Sequence, residues 1–218
     1  EMTEIGQIQI GDGEGFAEMI RYHSESESLM VTASETGTIE RISMSNPAMM
    51  SMMPPLDLNG GDVTAVAVHN NLVAASIKAK AADAPGMVKL FDVAGSLLAR
   101  FQTGALPDNV AFSPDGRYLL TANEGEPSDD YTVDPEGSFT LIDLAGGATN
   151  AKVTQISLDG IEAPAGSRIV KPGSSFAADA EPEYVAFAPD GKTAYVTIQE
   201  NNAIAVIDID TAQVAKVV

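Results

Sequence analysis

The chain has 218 residues, with 31 Asp or Glu against 12 Lys or Arg, and its formal net charge is -19. This acidity argues against binding to nucleic acid and to anionic lipid surfaces, because a negative protein surface repels phosphate groups. The absence of cysteine excludes thiol catalysis, zinc-thiolate sites and disulfides. No apolar stretch is long enough to predict membrane insertion, and a hydrophobic content of 44% predicts a folded chain.

The first predicted element is a strand over residues 5–10. A repeated unit follows, in which apolar runs are joined by turns. Residues 109–116 (NVAFSPDG) return as residues 184–191 (YVAFAPDG), and weaker copies start at Ile20 and Val66. Each Pro-Asp-Gly predicts a tight turn, and the β-branched runs around it predict strands. The first copies are spaced by about 45 residues, which is the period of a four-stranded propeller blade.

The fold predicted from this period is all-β, a β-propeller of four-stranded blades. The predicted units are an orphan outer strand (5–10), blade 1 (16–60), blade 2 (62–107), blade 3 (108–158), an insertion (159–180) and blade 4 (181–218). We expect a fragment of a larger ring in which the orphan strand completes the last blade. A complete four-bladed ring is the alternative. The remaining blades of a larger ring, or another copy of the chain, would then cover the open edges.

Two motifs resemble those of known propeller families. Residues 120–131 (LTANEGEPSDDY) and 179–184 (DAEPEY) resemble the choice-of-anchor I propellers, which are often labelled alkaline phosphatase-like or mesenchyme-specific cell-surface glycoprotein-like. Residues 189–218 are similar to the YVTN-type repeat of surface-layer propellers, with Ile198 in place of its asparagine. The resemblance implies a ring of roughly seven blades. It also implies a secreted or cell-surface bacterial protein whose signal peptide is not present in this chain, and it implies enzyme activity only weakly.

The acidic residues concentrate on one face of the predicted propeller. The second-to-third-strand hairpins and the connections between blades meet on this face, and residues 123–136 carry six carboxylates and no Lys or Arg. Such density favours a hard cation, Ca2+ or else Mg2+ or Mn2+, and no organic cofactor is expected. A solvated acidic loop is the alternative. The candidate metal ligands are Glu124, Glu126, Asp129, Asp130, Glu181 and Glu183.

Three other groups of residues are candidates for function. Arg168 and Lys171 are the basic pair of the insertion, and they either bind an anion or pair with carboxylates of their own loop. His23 and His69 occupy equivalent repeat positions on the opposite face, which favours a structural role. The methionines within residues 44–53 indicate packing or partner contact, and a Cu(I) site is the alternative.

Two functions from different classes fit these observations. The first is a non-catalytic extracellular module that binds a protein or glycan partner on its loop face, with a cation ordering that face. The second is a metal-dependent phosphohydrolase that uses the same face, with the basic pair holding the phosphoryl oxygens. The sequence contains no recognisable nucleophile motif for hydrolysis, and this favours the binding module.

Overall fold

Short apolar runs separated by tight turns form four antiparallel sheets in the computed structural model, which describes residues 2–11, 17–128 and 130–218. Blade 1 contains β1 (Ile20–His23), β2 (Ser28–Ala33), β3 (Thr38–Ser43) and β4 (Ser51–Asp57). Blade 2 contains β5 (Asp62–His69), β6 (Leu72–Lys78), β7 (Pro85–Asp92) and β8 (Leu97–Ala105). Each sheet pairs its strands in chain order, so every blade is a simple meander.

The second half of the chain repeats this arrangement after one insertion. Blade 3 contains β9 (Pro107–Phe112), β10 (Tyr118–Asn123), β11 (Ser138–Asp143) and β12 (Lys152–Ser157). Blade 4 contains β13 (Pro182–Phe187), β14 (Thr193–Ile198), β15 (Ala203–Asp208) and β16 (Gln213–Val217). Among the residues that the structure describes, helical structure is limited to α1 (Phe176–Asp179) and to single 3-10 turns at Pro47–Met49, Ala148–Asn150 and Gln199–Asn201. Within the described ranges, no helix has the length and apolar character needed to cross a membrane.

The first strands of the four blades lie side by side and form the inner wall of the arc. β1 contacts β5, β5 contacts β9, and β9 contacts β13. The backbone N–H of Val185 in β13 donates a hydrogen bond of 3.2 Å to Asn109 Oδ1 in β9. A separate hydrophobic cluster fills each boundary between consecutive blades. The all-β propeller architecture is therefore confirmed, and the sheets follow one another as an arc that does not close.

The segment before blade 1 does not pair with any of the four described sheets. Residues 5–10, predicted as an outer strand, form no strand in the structure. Gly6 instead lies close to Pro47 and Met50 at the outer side of blade 1. An extended segment becomes a strand only when its backbone groups pair with a neighbouring strand, and each of the four described sheets already has its own outer strand.

The turns between first and second strands connect neighbouring blades on one face, and both histidines take part. His23 is buried, and its Nε2 makes a hydrogen bond to the backbone carbonyl of Asn70, in the equivalent turn of blade 2. His69 packs on Phe112 of blade 3, with 5.7 Å between ring centroids, and its ring covers Gly116. Each histidine therefore stabilises the contact between two adjacent blades.

Candidate functional site

Three inner strands carry an extra residue at equivalent positions near their starts. The pairing of β5, β9 and β13 with the following strand shifts register at Thr64, Asp108 and Glu183. A β-bulge leaves one residue outside the regular pairing and turns its side chain in a new direction. Alignment of the repeats places Glu18, just before β1, at the same position. The repeat itself therefore places polar side chains where the inner strands begin.

The hairpins between second and third strands bring further carboxylates to this end of the inner wall. Glu124 directly follows β10, and its backbone N–H donates a 2.8 Å hydrogen bond to the carbonyl of Leu106 at the end of blade 2. We use the name channel mouth for the surface formed by Glu18, Asp108, Glu124, Glu126, Glu181, Glu183 and Glu200.

Glu124 has the most strongly perturbed electrostatic surroundings of these carboxyl groups. Partial burial is the main cause that raises its pKa to about 8. The second cause is the negative charge of neighbouring carboxylates, namely Asp108, Glu126, Glu181 and Glu183. At pH 7 a carboxyl group with this pKa is roughly 90% protonated. The channel mouth therefore holds a proton that any bound cation would displace.

The other carboxylates of the channel mouth interact across blade boundaries. Burial raises the pKa of Asp108, and the charge of Glu18 raises it further, whereas Lys78 acts in the opposite direction. Burial also raises the pKa of Glu183, with Asp108 and Glu200 as further causes. Carboxylates from blade 3 and blade 4, with Glu18 at the start of blade 1, therefore repel one another through a shared space.

A cavity of about 210 Å³ opens among these side chains. Its carboxylates come from residues before and within the first three blades. Lys78 is the one cation among the described residues that line it. The ammonium of Lys78 lies 3.6 Å from Asp62 Oδ2, with both side chains about half exposed. The charged side chains of the lining are Glu18, Asp62, Lys78, Asp108, Glu124 and Glu126.

The predicted metal ligands fall into separate groups. Glu124, Glu126, Glu181 and Glu183 are part of the channel mouth, whereas Asp129 lies outside the described residues. Asp130 instead closes its own loop. Its Oδ1 accepts hydrogen bonds from Ser128 Oγ at 2.8 Å and from Thr132 Oγ1 at 2.7 Å.

The two basic residues of the insertion are paired with carboxylates. Lys171 Nζ lies 2.9 Å from Asp134 Oδ1 and 3.2 Å from Glu181 Oε1. Burial lowers the pKa of Lys171, but these two hydrogen bonds outweigh it and the pKa is raised. Arg168 Nη1 lies 3.4 Å from Glu200 Oε2 at an exposed site. Of the two interpretations of the basic pair, the geometry favours internal ion pairing.

Asp179, which the sequence analysis named only within the 179–184 motif, anchors the insertion. Its buried carboxylate accepts hydrogen bonds from the backbone N–H of Val170 at 3.0 Å, from the backbone N–H of Lys171 and from Asn201 Nδ2. Asn201 belongs to the hairpin of blade 4, so this carboxylate holds the insertion on that blade. The position of Lys171 beside Glu181 follows from this anchor.

Sequence reasoning also missed Asp108 and Glu18 at the channel mouth. Both precede an apolar run by two residues, as Glu183 does in blade 4. Comparison of equivalent repeat positions, instead of a search for dense acidic stretches, would have found them. Within the part of the chain that the structure describes, no group of three or more His, Asp or Glu side chains is placed to hold a metal ion.

Comparison with known proteins identifies one family and one architecture. A family model described as the choice-of-anchor I domain matches residues 18–218. No curated protein sequence matches the chain. Hydrazine synthase from Kuenenia stuttgartiensis superposes with a TM-score of 0.67 at 16% identity, covering 88% of this chain and 52% of its own.

Two further solved structures share the architecture. The β-propeller domain of Myceliophteria thermophila Cps50 (Swd1) has a TM-score of 0.65 at 11% identity, covering 95% of this chain and 56% of its own. The WD40 β-propeller domain of Doa1 has a TM-score of 0.58 at 16% identity, covering 94% of this chain and 55% of its own. The chain spans just over half the length of these structures, and the low identities support the fold alone.

Proposed function

The chain belongs to the choice-of-anchor I family, and from this we propose that it is an extracellular or cell-surface binding module with a cation site at its channel mouth. The cation we propose is Ca2+, and we expect Mg2+ and Mn2+ to bind the same site more weakly. A bound Ca2+ accepts six to eight oxygen ligands. The positions left open by the protein would bind oxygen atoms of a protein or glycan partner.

The convergence of carboxylates from different blades carries this proposal. Burial is the main cause that raises the pKa of Glu124, Asp108 and Glu183, and neighbouring carboxylates raise each further. Asp108 acts on both Glu124 and Glu183, whereas Glu18 acts on Asp108. A cation removes this repulsion, which gives a gain in energy that a solvated loop cannot provide, although the cation must also displace the proton on Glu124. The side chains must draw together around the ion, because their present placement does not form a coordination sphere.

The alternative function predicted from the sequence is a phosphohydrolase that uses the same acidic face. The geometry does not favour this alternative. Its anion clamp consisted of Arg168 and Lys171, and the ammonium of Lys171 is already neutralised by Asp134 and Glu181. Opening this pair would leave two carboxylates without a partner beside an incoming phosphate. We therefore propose binding as the function of the channel mouth.

Calorimetric titration of chelator-stripped protein with CaCl2 tests the cation site. We expect one site with a dissociation constant tighter than about 1 mM. Glu124→Gln and Asp108→Asn are each expected to weaken binding at least about tenfold. Glu25→Gln is the matched control, because Glu25 is exposed in a turn on the opposite face, and it should leave the affinity unchanged.

The pH dependence of binding provides a second readout. Because the Glu124 proton, with a pKa of about 8, must leave, affinity should rise about 25-fold between pH 6.5 and pH 8.5, and Glu124→Gln should abolish this rise. Absence of binding heat in the unaltered protein at either pH would refute the cation site. Equal losses in Glu124→Gln and Glu25→Gln would show that binding depends on total charge and not on the channel mouth.

A further inference from the structure

The turn between β1 and β2 joins a serine hydroxyl to a buried histidine on the face opposite the channel mouth. His23 is 4% exposed, whereas Ser26, three residues later, is exposed. Ser26 Oγ lies 2.6 Å from His23 Nδ1. A hydroxyl and an imidazole at this distance, with the imidazole oriented by a third group, are the arrangement that activates a serine as a nucleophile.

The other nitrogen of the ring fixes the position of the imidazole proton. His23 Nε2 is hydrogen-bonded to the backbone carbonyl of Asn70, an oxygen that only accepts. In the neutral ring Nε2 therefore carries the proton and Nδ1 is the acceptor. The backbone N–H of Ser26, which only donates, also lies 3.2 Å from Nδ1. Both contacts identify Nδ1 as the acceptor of the Ser26 hydroxyl proton.

A second serine orients the hydroxyl of Ser26. Ser28 is completely buried at the start of β2, and its Oγ lies 2.7 Å from Ser26 Oγ. Since the hydroxyl proton of Ser26 is directed at His23, the Ser28 hydroxyl is the donor in this contact. It occupies one lone pair of Ser26 Oγ and leaves the other for a bond to carbon. One turn therefore supplies a nucleophile, a base and the groups that orient both.

The equivalent turns of the other blades show that the fold does not require this pair. Blades 3 and 4 form the corresponding turn with Ser113 and Ala188 at the position of His23. In blade 2 the equivalent residue is His69, whose Nε2 lies 3.0 Å from Asn70 Nδ2. Among the described residues, His23 is the one histidine that is hydrogen-bonded to a serine hydroxyl. The contact between blades accounts for the bond at Nε2, and it does not require the pair at Nδ1.

We propose that Ser26 is a nucleophilic site that accepts an acyl group from an activated ester, with His23 as its general base. Ser26 Oγ attacks the carbonyl carbon and its proton passes to His23 Nδ1, as the bond from that carbon to the leaving oxygen or sulfur breaks. His23 then gives the proton to the leaving group. Because Ser26 lies in an exposed turn, the donors that we expect are small aryl esters or thioesters.

Acetylation by p-nitrophenyl acetate in the presence of EDTA tests this site independently of the proposed cation site. Tandem mass spectrometry of the tryptic peptide 22–41 locates the acetyl group. We expect Ser26 to be acetylated at least about tenfold faster than Ser24, since general-base catalysis contributes factors of roughly 10²–10⁴. Ser24 is the matched internal control, because it is exposed in the same turn and its hydroxyl has no hydrogen-bond partner among the described residues.

An alkyl fluorophosphonate is the second probe, because its adduct with serine persists even where an acetyl group would be hydrolysed. It should label the same residue, with loss of fluoride. Variants assign the two roles: Ser26→Ala should lose the label, and His23→Gln should slow labelling of Ser26 at least about tenfold, because an amide does not take up the proton. His69→Gln removes the equivalent histidine of blade 2 and should leave the rate at Ser26 unchanged.

Two outcomes would overturn the proposal. Equal labelling of Ser24 and Ser26 by the fluorophosphonate in the unaltered chain would show that the contact with His23 does not activate the hydroxyl, and this result needs no variant to fold. Labelling of Ser26 at the unaltered rate in His23→Gln, with the fold verified by circular dichroism and thermal melting, would exclude His23 as the base.

Discussion

Carboxylates on the two faces of the arc come from the same repeat and have opposite surroundings. At the channel mouth, Glu124 and Asp108 are partly buried near other carboxylates, and their pKa values are raised. On the opposite face, which we name the turn face, hydrogen bonds from Ser113 and from Arg117 lower the pKa values of Asp115 and Asp143, respectively. We use the name turn face for the surface made by the turns between first and second strands and between third and fourth strands.

The difference follows from what each loop places beside its acid. In the Pro-Asp-Gly turn, Asp115 Oδ1 accepts a 2.6 Å hydrogen bond from Ser113 Oγ two residues earlier, so the turn supplies its own donor. At the channel mouth, a bulge or a hairpin end directs the carboxylate towards carboxylates of other blades. Acids of the turn face therefore stabilise local structure, whereas Asp108, Glu124 and Glu183 of the channel mouth oppose folding until a cation or a proton neutralises them.

The largest expected effect concerns the packing of the turn face. Gly116 has a φ of 72°, and a Cβ added there would lie 2.2 Å from the ring of His69. Gly191 has a φ of 68° in the equivalent turn, where the atom nearest to an added Cβ would be 3.7 Å away. We expect Gly116→Ala to lower the free energy of unfolding by about 3 kcal/mol and Gly191→Ala by about 1 kcal/mol. Urea denaturation measures both, and equal losses would refute a role for the His69 contact.

A smaller effect is expected at the channel mouth, and it depends on pH. The pKa of Glu124 is raised in the folded protein to about 8, so the folded state binds a proton that the unfolded chain releases near pH 4.5. Stability therefore falls as pH rises from about 5 to 8, by on the order of 1 kcal/mol after allowance for solvent screening. Glu124→Gln should flatten this decline in urea denaturation, and an unchanged decline would contradict the assignment.

The smallest effect is expected from the ion pair of the turn face. Arg117 Nη2 lies 2.8 Å from Asp143 Oδ2, and hydrogen bonding to Arg117 is the main cause that lowers the pKa of Asp143. This stabilisation is present above the unfolded pKa near 4 and is lost as pH falls through the lower folded value. Arg117→Gln should slightly reduce thermal stability at pH 7 and leave it unchanged near pH 2. The Arg117 guanidinium also lies over the Tyr118 ring, 4.6 Å from its centroid, and a constant difference across this range would show that loss of this contact is responsible.

The sequence predicted the parts of the fold that depend on local chemistry. Pro-Asp-Gly turns and β-branched runs at a period of about 45 residues predicted the four-stranded blades, and alternation of connections between two faces predicted which acidic loops share a surface. Residues 5–10 do not pair with the four described sheets, and their pairing with the last blade of a larger ring stays a prediction. Composition also did not reveal that the carboxylate of Asp130, a predicted metal ligand, accepts hydrogen bonds from Ser128 and Thr132.

The remaining features were decided by contacts between residues far apart in the chain. The sequence by itself determined the repeat, the turn chemistry and the acidic character of one face, because each depends on residues within one blade. Only the tertiary structure decided that Lys171 neutralises Glu181, that Asp179 anchors the insertion, and that Asp108 and Glu124 share a cavity. Burial and electrostatic repulsion depend on distances across blade boundaries, and only folding sets those distances.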